Sequence, residues 1–114
     1  MSSFNKIAVR NLFVGRTTTG YADAHEVVGG SDRTFQAYGS TSNGAGAATI
    51  IIYGTNDDSQ STNNLITLGT ITLTLGTTVT SDGFASQAAW RYIVVRVSAI
   101  SGTDAAVTVN VGAC

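Results

Sequence analysis

The chain predicts an all-β domain, an antiparallel β-sandwich of jelly-roll type, and three observations carry that expectation. Its 114 residues are rich in Thr, Val and Ile, include 13 glycines and no proline, and hold a single Met, a single Lys and a single Glu. Such a composition is poor in surface-helix formers and well supplied with residues for strands and tight turns. Ile71, Leu73 and Leu75 alternate with Thr70, Thr72 and Thr74, the period-two pattern of a half-buried strand. Finally, roughly seven or eight short strand candidates recur with turn signals between them, which fits a double sheet better than an open one.

The elements follow in order. Residues 1–16 read as an N-terminal arm or first strand, and 17–114 as the sandwich domain. In the first strand, Ile7 to Val14, Ile7, Val9, Asn11 and Phe13 share one face and Ala8, Arg10, Leu12 and Val14 the other. Apolar residues on both faces imply cover on both sides. Thr17 to Tyr21 reads as a short strand, and Ala22 to Asp32 as a loop punctuated by Gly29-Gly30-Ser31-Asp32. Thr34 to Tyr38 is a strand, Gly39 to Gly46 a polar connection, and Ala47 to Tyr53 an apolar run of strand length. Asn56 to Asn64 is a second polar loop. In Leu65 to Leu75, Gly69 marks a bulge or a break. Val79 to Ala89 includes a turn near Asp82-Gly83. Last, Trp90 to Val97, a Gly-containing turn over Ser98 to Thr103, and Val107 to Val111 read as a β-hairpin. Ile93, Val95 and Val97 share one side of its first strand, and Val107, Val109 and Val111 one side of its second.

Charge narrows the function classes. Only 11% of the residues are charged and the net charge is −1. A sparsely charged surface favours contact with another protein over life as a free monomer. Six basic residues scattered from Lys6 to Arg96 do not form the cationic face of a nucleic-acid binder. No apolar run approaches the ~20 residues of a membrane-spanning helix. Met1 to Lys6 lacks the basic start and apolar run of a signal peptide, so use without export is expected. Cys114 is the single cysteine and the last residue, which points to a free thiol and excludes an internal disulfide.

Candidate chemical sites are few. Asp57-Asp58 supplies too few oxygens for calcium, so a turn rich in side-chain-to-backbone bonds is expected there. His25, beside Asp23 and Glu26, has no second His and no neighbouring Cys with which to hold zinc. As a lone histidine in a polar loop it reads as solvated. No Ser lies in a G-x-S-x-G elbow, and no glycine run matches a phosphate cradle. No enzyme activity, cofactor or metal is expected. Trp90, Arg91 and Tyr92 form the densest aromatic and cationic group, Trp90 reading first as a core anchor and second as an interface residue. Phe4, Ile7, Val9, Leu12 and Phe13 place more apolar surface near the N-terminus than one strand needs, and join them as candidate interface residues.

Thr34-Phe35-Gln36-Ala37-Tyr38-Gly39, the segment Gly44 to Asp57 ending in Tyr53-Gly54-Thr55-Asn56-Asp57, Trp90-Arg91-Tyr92 and Ile100-Ser101-Gly102-Thr103-Asp104 resemble small phage virion structural proteins of the capsid decoration (cement) type. In that group a V-x-G-S-N-D strand end precedes a W-x-Y-V-R strand and an S-G-T-G-A turn. Thr55 replaces the common Ser, Asp104 the common Gly, and the strand's Arg arrives only at Arg96. The resemblance covers about residues 34–111. It implies a protein made in the host cytoplasm that coats the virion's capsid surface by bridging capsomers. The major capsid protein would be its partner, with a homotrimer expected first and a homodimer second. Two other readings stand beside it: a carbohydrate- or receptor-binding sandwich of a head or tail fibre, and a head–tail adaptor component.

Overall fold

The computed structural model describes residues 8–26, 32–59, 61–87 and 90–113. Nine strands are present among them: β1 (Ala8–Arg16), β2 (Gly20–Tyr21), β3 (His25–Glu26), β4 (Arg33–Ser40), β5 (Asn43–Thr55), β6 (Ile66–Leu75), β7 (Thr80–Ser86), β8 (Tyr92–Thr103) and β9 (Ala106–Ala113). One sheet runs β1-β9-β4-β7. The other runs β2-β8-β5-β6, with β3 also on β8. All pairings are antiparallel.

β2 and β3 are two pieces of one strand. Gly20 and Tyr21 face Val97 and Arg96, and His25 and Glu26 face Ile93 and Tyr92, so one extra residue is accommodated between the pieces. Counted that way, eight strands remain. Every connection crosses to the opposite sheet except the β5–β6 hairpin, which is the connectivity of a jelly roll.

The core includes the inward faces expected for β6, β8 and β9, joined by those of β4 and β5. Ile50, Ile52, Ile71, Leu73, Leu75, Ile93, Val95 and Val97 from one sheet meet Phe35, Ala37, Val107, Val109 and Val111 from the other. The Thr partners in β6 face outward and are exposed. Gly69 stays within a single β6. The extra residue is Leu68, at the register shift opposite Ile52 and Tyr53, and the absent side chain at Gly69 leaves room for the Phe84 ring.

Several expected boundaries change. β8 and β9 are not a hairpin. They follow one another through a tight turn with Asp104 at φ 52°, yet β8 pairs with β5 and β9 with β1 and β4. Two strands that each present a valine face can bury both faces against each other only from opposite sheets. The Ser98 to Thr103 stretch is strand, bulged near Ser98, and the Gly39 to Gly46 connection shrinks to Thr41-Ser42. Asp82-Gly83 lies inside β7, where Gly83 faces Gln36. Thr17 to Tyr21 contributes only Gly20–Tyr21 as strand, and part of the expected loop that follows is β3.

β1 departs from strict alternation. Register shifts between Asn11 and Phe13 and between Phe13 and Arg16 turn the chain, so Leu12 is buried while Val14, of the same parity, is 68% exposed. Gly15 takes φ 62° at the second shift, and its N–H donates to Thr108 Oγ1 at 3.1 Å.

Candidate functional site

The Trp90-Arg91-Tyr92 segment leads into β8, and three contacts hold it. The buried Arg33 donates from Nη1 to the Trp90 carbonyl at 2.8 Å. Asn56 Oδ1 accepts from the Arg91 N–H at 3.0 Å. Gly54 leaves the space in which the Trp90 ring lies, since a Cβ there would sit 2.4 Å from ring carbons. Trp90 is therefore partly buried against the core, the first of its two expected roles. Burial holds the Arg33 guanidinium below its ordinary pKa, a cost set against its anchoring bond.

Beyond Trp90 the side chains turn outward. Arg91 reaches Glu26 Oε2 on β3 at 3.0 Å and Asp58 Oδ1 in the polar loop at 2.7 Å. The Tyr92 hydroxyl donates to the same Asp58 oxygen at 3.2 Å, and the Arg91 guanidinium lies 5.1 Å from the Tyr92 ring centre. The bond from Glu26 and the charge of Asp58 hold Arg91 above its ordinary pKa. Desolvation, then the bond to Asp58, raises that of Tyr92. These groups are solvent-facing, so the network positions side chains more than it stabilises the fold.

Along β8, Tyr92, Val94 and Arg96 share the face opposite Ile93, Val95 and Val97, and of these three Val94 is itself buried, at 4% exposure. Register sets Tyr53 across from Val94, and both Ile51 and Tyr21 across from Arg96. Arg96 lies 5.2 Å from the Tyr21 ring centre, and the Tyr21 and Tyr53 rings are 6.1 Å apart at 34°. Hydrogen bonding to Tyr53, then the nearby Tyr21, raises the Arg96 pKa. The result is a strip across one sheet face, Tyr92, Arg96, Tyr53, Ile51 and Tyr21, with Val94 buried on the same face. Tyr21 is 42% exposed.

The remaining candidate residues fall elsewhere. Leu12 is a core residue at 4% exposure, and Phe13 packs against the core. Leu12 is thus taken up within the fold, which corrects its expected place at an interface, while Phe13 keeps part of its surface exposed. Val9 pairs with Gly112 through its backbone. Phe4 and Ile7 lie outside the described residues. Tyr21, Tyr53 and Arg96 were not legible as a group. The alternation of Tyr92, Val94 and Arg96 against the valine face was the one available signal, and Tyr21 arrives only through pairing.

His25 also differs from its expectation. Instead of standing in solvent it is half-buried on β3, where Nε2 lies 2.9 Å from the Leu12 carbonyl. A carbonyl only accepts, so the ring nitrogen donates. Asp57 organises its turn as expected: its carboxylate accepts from the Ser59 N–H and hydroxyl and from Asn64 Nδ2, which, Asn64 first, lowers its pKa to about 2. No group of three or more His, Cys, Asp or Glu suited to a metal occurs among the described residues.

No protein-family model matches the chain, and no curated protein or solved structure matches it significantly.

Proposed function

We propose that the chain is a binding protein without catalytic chemistry, a phage capsid decoration protein that lies on the major capsid protein at the virion exterior. The observation that carries this reading is the Tyr92–Arg96–Tyr53–Tyr21 strip on a rigid jelly roll. Tyr and Arg are the residues that concentrate binding energy at protein interfaces, and here they project from paired strands rather than loops. Jelly rolls recur in viral shells and in lectins, so the architecture is compatible with the resemblance without identifying the partner.

The test is co-sedimentation of the purified chain with capsids that lack it. Tyr21→Ala and Arg96→Ala should each weaken capsid binding roughly tenfold or more, as truncation of interface anchors does, with thermal stability nearly unchanged. Full binding by both variants overturns the assignment of the strip.

The Tyr21–Tyr53 pair beside Arg96 supports the second reading, a carbohydrate-binding sandwich of a fibre, because an exposed ring, here Tyr21, beside a hydrogen-bond donor suits a sugar ring. Glycan-array binding that is lost in Tyr21→Ala, with no capsid binding, would favour that function.

A further inference from the structure

We propose that the free edge of β6 pairs antiparallel with the same edge of a second copy of this chain, joining two β2-β8-β5-β6 sheets across a twofold axis. β6 ends its sheet and is a ten-residue strand. Which of its backbone groups point off the edge follows from the ladder. The Ala22 N–H donates to the Val95 carbonyl at 2.8 Å, so Val95 turns toward β2. Alternation then turns Val94 and Arg96 toward β5, where they meet Tyr53 and Ile51. Ile50 and Ile52 accordingly turn toward β6 and meet Ile71 and Gly69. Thr70, Thr72 and Thr74 must therefore direct their N–H and C=O groups away from β5. An independent contact agrees, for the Thr80 hydroxyl reaches the Thr74 carbonyl from that side at 2.9 Å.

An open row of this kind is a template for another strand, and proteins commonly block it with charge, proline or a short edge. None of these three is present, and the Thr80 hydroxyl covers the Thr74 carbonyl alone, leaving Thr70 and Thr72 as the open positions. Residues 59–81 contain no charged side chain and no proline. The only irregularity, the bulge at Leu68, leaves the ladder from Gly69 to Leu75 regular.

The same neutrality identifies the occupant. Beside a twofold axis a side chain lies close to its own symmetry mate, so a charge on the middle of this edge would meet its like. An axis beside Ile71 sets Thr70 against the partner's Thr72, and Thr72 against the partner's Thr70. Facing threonines are a favourable cross-strand pair. Thr70 lies directly across from Ile51 of the tyrosine and arginine strip, so the two surfaces adjoin on one sheet face. Self-pairing nevertheless uses the β6 backbone and is read by sedimentation, so it can fail or hold independently of capsid binding.

Sedimentation equilibrium under reducing conditions, which excludes disulfide pairing through Cys114, tests the proposal together with amide hydrogen exchange. The chain should dimerise with concentration, and exchange at the Thr70 and Thr72 amides should slow at least tenfold in step. Thr72→Pro removes a donor that points off the edge and leaves the β5 ladder intact, so it should weaken dimerisation at least tenfold while the fold persists. Thr72→Lys, which places a positive charge near its symmetry mate, should do the same and serves if the proline variant does not fold. A chain that stays monomeric to about 1 mM, the weak end of specific association, overturns the proposal. So does an oligomer whose stability is unchanged in both variants, or one in which the two amides stay unprotected.

Discussion

At the scale of single residues, Trp90 illustrates how one missing side chain positions a functional segment. Its ring occupies the space left by Gly54, and its carbonyl is held by Arg33. Gly54→Ala should destabilise the fold by about 1–3 kcal/mol, the usual penalty for overpacking against a ring that cannot retreat. Because Trp90 is the single tryptophan, its fluorescence should report the displacement directly, with an emission shift toward that of exposed indole. Asp57 provides a pH test. Its carboxylate is lowered from 3.8 to about 2, so the turn's stabilisation is complete above the unfolded value and is lost as pH falls through about 2. Carboxyl NMR should place its midpoint near 2, and Asn64→Ala should move that midpoint upward by removing the largest cause.

The element scale separates what alternation encodes from what it does not. In β8 the core-facing side is the expected one, Ile93, Val95 and Val97, while Val94 on the opposite face is buried as well. Val95→Asp should abolish folding, because a carboxylate at a site 1% exposed costs several kcal/mol even after relaxation. Thr72→Asp, on the exposed face of β6, should shift the urea midpoint of the monomer only slightly. Equal midpoints would contradict the assigned faces. In β1 two register shifts reverse the simple pattern, and bulges of this kind leave no mark in residue spacing. The first frees the Leu12 carbonyl to receive His25, which ties β3 to β1 at the flank of the sandwich. Deleting residues 1–6 should leave β1 in place, since the strand begins at Ala8. Thermal denaturation should remain cooperative, and capsid co-sedimentation would show whether Phe4 adds to binding.

For the whole molecule, nearly every strand is paired with one distant in the chain, and β1 closes against β9. Such non-local pairing should make folding slow, in the millisecond-to-second range by comparison with other all-β domains, as stopped-flow tryptophan fluorescence would measure. By itself the sequence determined the fold class, the inner faces of β6, β8 and β9, the hydrogen-bonded turn at Asp57 and the prominence of Trp90-Arg91-Tyr92. Each depends on short-range pattern and on the chemistry of neighbouring residues. Tertiary structure alone decided that β8 and β9 belong to opposite sheets, that His25 serves the β1 bulge, and that Tyr21 joins Tyr53 and Arg96 on one face. It also decided which strand is left with an open edge. Those outcomes depend on which distant strands become neighbours, and neighbours are chosen by the burial of all the apolar faces together rather than by any one segment.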